Sequence, residues 1–506
     1  MNPPSSFIRC HEDDPVVVAV QDVPSGAPVI GNIFALEPIQ RGHKVAISAI
    51  GKGEYVTKYG QPIGRATENI KPGQHVHTHN LAFESVKGDY SSIEIIEFVD
   101  ETADPVTFDG IIRDSGRVAT RNYVGILCSV NCSGHVAQAI AEQFRGADAM
   151  AAWPKVDGVA AFSHTTGCGI SADGTSAEVL HRTIAGYARH ANFAAVLLVG
   201  LGCEANQITG LLEAEDLAEG PDLKALIIQE AGGTRKAIQA GTEIVREMLD
   251  QANCVERVAV PAHHLVLGLQ CGGSDGFSGI TANPALGIAA DLIVRQGGTA
   301  VLSETPELYG AEHLLLRRVA SQAVADKLLA RIDWWESYAK VHMENLDNNP
   351  SHGNKVGGVT TILEKSLGAV SKSGRSQLRD VYLYAEPIET KGLVLMDSPG
   401  FDPVSATGQI ASGCNIMCFT TGRGSCYGAK PVPCLKLTTN TLLFERMSDD
   451  MDMNCGSVLD GDRSLDEMGQ LIFAQIIKTA SGHKTKSELL GYGENEFVPW
   501  QPGGLY

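Results

Sequence analysis

Apolar positions along this chain fall into two regimes, which meet near residue 108. Before it, from about residue 8 to 81, they come as short pieces over 16–23, 43–49 and 54–59, separated by Gly, Pro and Asp. That spacing predicts a small all-β unit. The unit ends in His75-Val-His77-Thr-His79. If this run is extended, period-two alternation places its three imidazoles on one face. Between about 82 and 105 the sequence turns acidic and loses its pattern, as a linker does. From 108 to about 388, apolar runs alternate with amphipathic stretches over 134–144, 177–189, 233–250, 286–296 and 311–332. Strand–helix alternation of this kind predicts an α/β architecture with mostly parallel sheets. A further unit opens near Gly392 with Leu393-Val-Leu-Met, continues through Ile416-Met-Cys-Phe, and closes with a helix over 464–480. The expected organisation is therefore multidomain. A small all-β domain spans 1–86, a linker 87–106, a central α/β domain 107–388 and a C-terminal α/β domain 389–506.

Four of the apolar runs end in cysteine beside glycine or small polar residues. They end at Cys132, at Cys168 (four residues after His164), at Cys203-Glu204, and at Cys271-Gly-Gly-Ser274-Asp275. Continuous apolar runs bounded by glycine suit buried parallel strands. Ligands of open α/β sheets bind outside the carboxyl ends of such strands. Thiols on separate strands can therefore meet at one metal or cluster, and free cysteine otherwise packs as a small hydrophobe.

Composition narrows the classes. A formal net charge of −19 argues against nonspecific binding to nucleic acid or an anionic membrane. No run of about eighteen apolar residues predicts a transmembrane helix, and the first residues carry no signal-peptide core. Twelve cysteines without a disulfide framework fit a reducing cytoplasm.

Other candidates sit at strand ends and in glycine-rich loops. Asp275 and Glu304 can act as metal ligands or general bases, and carboxylates are also common turn and cap residues. The loop from Asn349 through Asn354-Lys355 to Gly358 can hold a carboxylate or hydroxyls through its backbone and one cation. It lacks the Gly-Lys-[Ser/Thr] order of a nucleotide phosphate loop. Arg423, between Gly422 and Gly424 after a strand, suits bidentate carboxylate recognition. The His75–His79 run can supply two or three imidazoles to a divalent metal.

Taken together, these segments resemble the altronate/galactarate dehydratase family, whose relatives include the sulfolactate sulfo-lyases. Gly42-His43-Lys44 and Lys58-Tyr59-Gly60 resemble the family's N-terminal β-clip module of the SAF type. Asn131-Cys132, His164 with Gly167-Cys168, Gly202-Cys203-Glu204, Cys271-Gly-Gly-Ser-Asp275, Asn283-Pro284, Asn354-Lys355 and Gly422-Arg423-Gly424 are similar to family signatures. The resemblance implies a hydro-lyase that converts a sugar acid, altronate or an aldaric acid such as galactarate, to a 2-keto-3-deoxy acid. It also implies ferrous iron. How iron is held stays open between an iron–sulfur cluster on Cys132, Cys168, Cys203 and Cys271 and a mononuclear site. His164, Asp275 and Glu304 are the expected proton-transfer residues. Lys355, Asn354, Arg423, Ser274, His77 and His79 are the expected substrate contacts. A small-molecule substrate, no nucleic-acid or membrane partner, and a homo-oligomer are expected. The alternatives are a C–S lyase acting on sulfolactate and a non-catalytic sugar-acid sensor.

Overall fold

The computed structural model describes residues 6–84 and 104–502. Most of the expected linker lies outside the described residues. The N-terminal domain is built of short antiparallel pieces. Phe7–Ile8, Val16–Ala19, Lys44–Ala46 and His75–Val76 form one sheet, and Tyr55–Lys58, Gln61–Ala66 and Leu81–Ala82 form another. The strand expected through His79 stops at Val76. There Asn80 turns the chain: its Oδ1 accepts from His77 N at 3.0 Å and its Nδ2 donates to His75 O at 2.8 Å.

Two parallel sheets follow. The first has four strands in the order Gly158–Phe162, Tyr123–Cys128, Phe193–Gly200, Leu223–Ile227. Every side chain of Tyr123–Cys128 is buried, as expected of a strand covered by helices on both faces. The second has seven strands, in the order Leu378–Tyr382, Gly392–Met396, Thr299–Leu302, Val266–Cys271, Ile416–Thr421, Cys434–Thr438, Met453–Asn454. This sheet runs across the expected boundary at 388. Strands on both sides of 388 are direct neighbours within it, and the stretch 107–388 is shared among three sheets, the third a small antiparallel one of Val118–Ala119, Thr107–Ile112 and Val258–Pro261. Period-two and continuous apolar runs identify strands but carry no information on which strands pair.

Helices form where the amphipathic stretches predict them, with ends set by capping. The helix Leu465–Ala480 starts at Ser464, whose hydroxyl and Glu467 make a reciprocal capping box. The stretch expected as one helix over 311–332 is two, Glu312–Leu316 and Gln322–Val341. Ser321 caps the second, and the intervening backbone pairs instead with Leu378. Among the described residues no helix is long and apolar enough to cross a membrane.

The small N-terminal domain docks on the seven-stranded domain through charge and close backbone contact. Lys44 Nζ and Lys58 Nζ reach the two oxygens of Glu364 at 2.8 and 3.0 Å, all three groups buried. Lys44 also donates to Gly358 O at 2.7 Å. Gly276 packs so tightly on Gly42 that an added Cβ would lie 2.0 Å from its carbonyl oxygen, a position only glycine fills.

Candidate functional site

Three adjacent strands of the seven-stranded sheet deliver a cluster of ionisable groups at their carboxyl ends, the place where parallel sheets bind ligands. Cys271 closes Val266–Cys271, Glu304 follows Thr299–Leu302, and Asp402 opens the helix Asp402–Ala411 after Gly392–Met396. The helix Ile362–Ser371 and its C-cap Lys372 bring two ammoniums to them. Lys372 Nζ lies 2.8 Å from Cys271 Sγ and 3.2 Å from Glu304 Oε2. Lys365 Nζ donates to Glu307 Oε1 and to Asn349 Oδ1, both at 2.7 Å. Cys271 Sγ is 3.8 Å from Glu304 and 3.9 Å from Glu307.

Burial decides the protonation here. Desolvation, with Glu307 next, pushes the Glu304 carboxyl up to about 8, against the pull of Lys372. Burial and then Glu307 raise Asp402 to about 6. Burial likewise lifts the Cys271 thiol to about 12. Lys372 also suffers from burial, but Cys271 and Glu304 outweigh it and hold it above the usual lysine range. At neutral pH the set is a protonated carboxyl, a carboxylate, a thiol and an ammonium. Glu304 adopts a left-handed backbone, φ 66°, which is strained for a non-glycine residue. Its Oε1 is buried with no hydrogen-bond partner among the described residues. Donor atoms of Cys271, Glu304 and Glu307 are close enough to share a metal. Two lysine ammoniums, of Lys365 and Lys372, lie against the same groups.

The loop after Cys271 runs from this cluster to the N-terminal domain. Ser274 O accepts from Asn354 Nδ2 at 2.9 Å. Asp275 is buried and accepts from Thr439 Oγ1, Ser278 Oγ, Phe277 N and Asn440 Nδ2 at 2.9 to 3.2 Å. Its two oxygens thus take four hydrogen bonds that fix the loop. Arg423 N donates to Gly273 O at 2.9 Å, which fixes the turn and leaves the side chain exposed. Arg423 and Arg41 line one cavity with Val356 and Asp22. Lys355 is half-buried beside it in sequence.

Val356 O is 3.0 Å from His43 Nε2, which opens the third group. His43 Nδ1 faces His75 Nε2 at 3.0 Å, and the ring centroids of His43 and His77 are 4.7 Å apart. Donor atoms of His43, His75 and His77 all lie within 4.8 Å of one another. Burial, and then His43 for His75 and Lys44 for His77, push both rings down to about 3, so both are neutral at neutral pH. His77 Nδ1 is buried without a partner among the described residues. Three neutral imidazoles with an orphaned nitrogen fit a divalent transition-metal ion. His79 is exposed and packs against His75 with centroids 5.3 Å apart. His43 is 32 residues from His75, so no local spacing signals it.

The remaining expected residues lie in the four-stranded domain. His164 is buried; Nε2 is 3.0 Å from Cys128 O, and Nδ1 accepts from Thr166 N at 3.3 Å. Burial lowers it to about 4. Both ring nitrogens thus face backbone groups of the surrounding loops. Cys132, Cys168 and Cys203 are exposed on loops after three strands of this sheet, whereas Cys271 is buried in the other sheet. Glu307, Lys365, Lys372 and Asp402 escaped the sequence reading. The seven-residue spacing of Lys365 and Lys372, two helical turns, is the one signal that places them on a common face.

Family models cover nearly the whole chain. The altronate/galactarate dehydratase SAF domain matches residues 5–84, the D-galactarate dehydratase/altronate hydrolase second domain 110–253, and the D-galactarate/altronate dehydratase C-terminal domain 262–504. The break between the last two falls where the two parallel sheets separate. The altronate dehydratase of Bacillus subtilis (strain 168) is 35% identical over 502 residues, 97% of each chain. That of Escherichia coli (strain K12) is 36% identical over 488 residues, covering 95% of this chain and 96% of its own. The galactarate dehydratase (L-threo-forming) of Escherichia coli (strain K12) is 34% identical over 498 residues, covering 95% and 94%. On this evidence the chain belongs to the altronate/galactarate dehydratase family and is a hydro-lyase.

Proposed function

We propose that this enzyme removes water from a sugar acid of the altronate or galactarate type and releases a 2-keto-3-deoxy acid. The observation that carries this reading is the pairing of Glu304 with Asp402 beside Lys372. Dehydration needs a base for the proton on C2, a cation for the enolate that its removal creates, and an acid for the departing C3 hydroxyl. Two carboxyl groups whose surroundings separate their pKa values mark such an acid and base. Asp402, at about 6, is ionised at neutral pH and accepts the C2 proton. Glu304, at about 8, is protonated, and its Oε1 has no hydrogen-bond partner among the described residues. In this reading it donates to the leaving hydroxyl. Lys372 and Lys365 supply fixed positive charge in a dry site, where it stabilises an enolate far more than in water.

Arg423 and Arg41 hold the substrate carboxylate, with Lys355 nearby. His43, His75 and His77 would hold a divalent ion, ferrous iron being the one the resemblance implies. Bound there, it would supply Lewis-acid polarisation of a carboxylate or hydroxyl.

The test is Glu304→Gln, assayed anaerobically for 2-keto-3-deoxy acid with altronate and with galactarate. Loss of a general acid lowers turnover about 10²–10⁴-fold. Turnover within a factor of three of the parent, with either acid, would remove Glu304 from the mechanism.

A further inference from the structure

We infer that Cys132, Cys168 and Cys203 form a second metal site, one that carries a [4Fe–4S] cluster with three protein thiolates and one iron left open. This site is separate from the histidine set and does not depend on the acid–base assignment above.

The three thiols stand on loops that follow Tyr123–Cys128, Gly158–Phe162 and Phe193–Gly200, three contiguous strands of the four-stranded sheet. Polar groups tie these loops to one another. Asn131 N donates to Thr166 O, and Asn131 Nδ2 to His164 O at 3.1 Å, which links the Cys132 loop to the Cys168 loop. Asn206 N donates to Gly167 O, linking the Cys203 loop to the Cys168 loop. Asn206 Nδ2 donates to Ser129 O at 2.8 Å, linking the Cys203 and Cys132 loops. Ser129 Oγ donates to Glu204 Oε1 at 2.7 Å, and Glu204 also accepts from Leu201 N and Gly202 N. Gly167 has φ 94°, and a Cβ there would lie 2.3 Å from Ser129 O, so the crossing of two loops excludes any side chain. Within this platform Ser129, His164, Glu204 and Asn206 are buried and bonded, while the three cysteines beside them are exposed. Holding three exposed thiols on a frame of buried polar groups has no packing rationale.

The choice of a cluster over a single ion follows from the donors. A structural zinc site needs four ligands. His164 and Glu204, the buried histidine and carboxylate of these loops, are already held by hydrogen bonds within the fold. Thiolate is the ligand that iron–sulfur clusters take, and binding releases the three thiol protons. The open iron takes an oxygen ligand, either water or a hydroxyl or carboxylate oxygen of a hydroxy acid.

The experiment uses the full chain, purified anaerobically and reconstituted with ferrous iron and sulfide. Iron, acid-labile sulfide and visible absorbance are measured on the parent and on C132S, C168S, C203S, C271S and H77A. The expected result is about four sulfides per chain, with broad absorbance near 400 nm. C132S, C168S and C203S each lose at least half of it, while C271S and H77A keep it. Absence of sulfide in the reconstituted parent overturns the inference. So does full sulfide in any one of the three serine variants, or one zinc per chain without sulfide.

Discussion

Replacing Glu364 with Gln should loosen the N-terminal domain without touching any group proposed for chemistry. In the parent, one buried carboxylate neutralises two buried ammoniums, with Thr360 N and Oγ1 donating at 2.9 and 2.7 Å as well. Burial works against the Glu364 charge, but Lys44 and Lys58 hold its pKa well below the usual carboxylate range. Removing one partner of a buried pair costs about 3–5 kcal/mol, because the other is left charged in the interior. Lys44 is already down to about 8 through burial. In E364Q it can lose its proton, so the lower end, about 3 kcal/mol, is the better figure. At about 1.4 kcal/mol per tenfold, that is roughly a 100-fold rise in opening. Hydrogen exchange of the amides in Lys44–Ala46 and Gln61–Ala66 reads this directly. The triple variant K44M/K58M/E364M, with no charge to bury, should recover most of the protection. Exchange in E364Q within twofold of the parent would refute the claim that this ion triad fastens the domain. The sign with pH follows from the depressed pKa. The stabilisation is full above the ordinary glutamate value of about 4.3 and is lost as pH falls below it, so acid should open the same amides first.

Turnover should follow a bell-shaped pH profile with limbs near 6 and 8, from ionisation of Asp402 and deprotonation of Glu304. The upper limb should disappear in E304Q; if it persists, another group titrates there. Arg423→Lys should raise KM about tenfold with little change in kcat, because an ammonium cannot pair bidentately with a carboxylate. A change confined to kcat would contradict a binding role. His77→Ala should lower the affinity for ferrous iron, measured by competition with a chelator, by at least tenfold while circular dichroism is unchanged. Unaltered affinity would clear the imidazole set of metal binding.

How much of this was legible in the sequence depends on the range over which each feature is encoded. Continuous apolar runs such as Tyr123–Cys128 announce buried strands, and Ser464 with Glu467 announces a helix start, because both are local. Strand pairing is not local, so the neighbouring positions of Leu378–Tyr382 and Gly392–Met396 were missed and a domain boundary was drawn between them. The same limit governs the site. Glu304 was found at its strand end, but its partner Lys372 is 68 residues away. His164 and Asp275 have the right chemistry for catalysis. The hydrogen bonds that tie each to its surrounding loops come from residues the sequence does not mark as neighbours. The four cysteines share a sequence pattern because each ends a parallel strand, yet they divide between two sheets.

The account rests on dehydration of a sugar acid, and the most direct test is an anaerobic assay of the purified chain with Fe²⁺. Altronate, galactarate and sulfolactate are supplied separately, and 2-keto-3-deoxy acid and sulfite are measured. The account predicts 2-keto-3-deoxy acid from altronate or galactarate and no sulfite. Sulfite from sulfolactate, with neither sugar acid turned over, would contradict it.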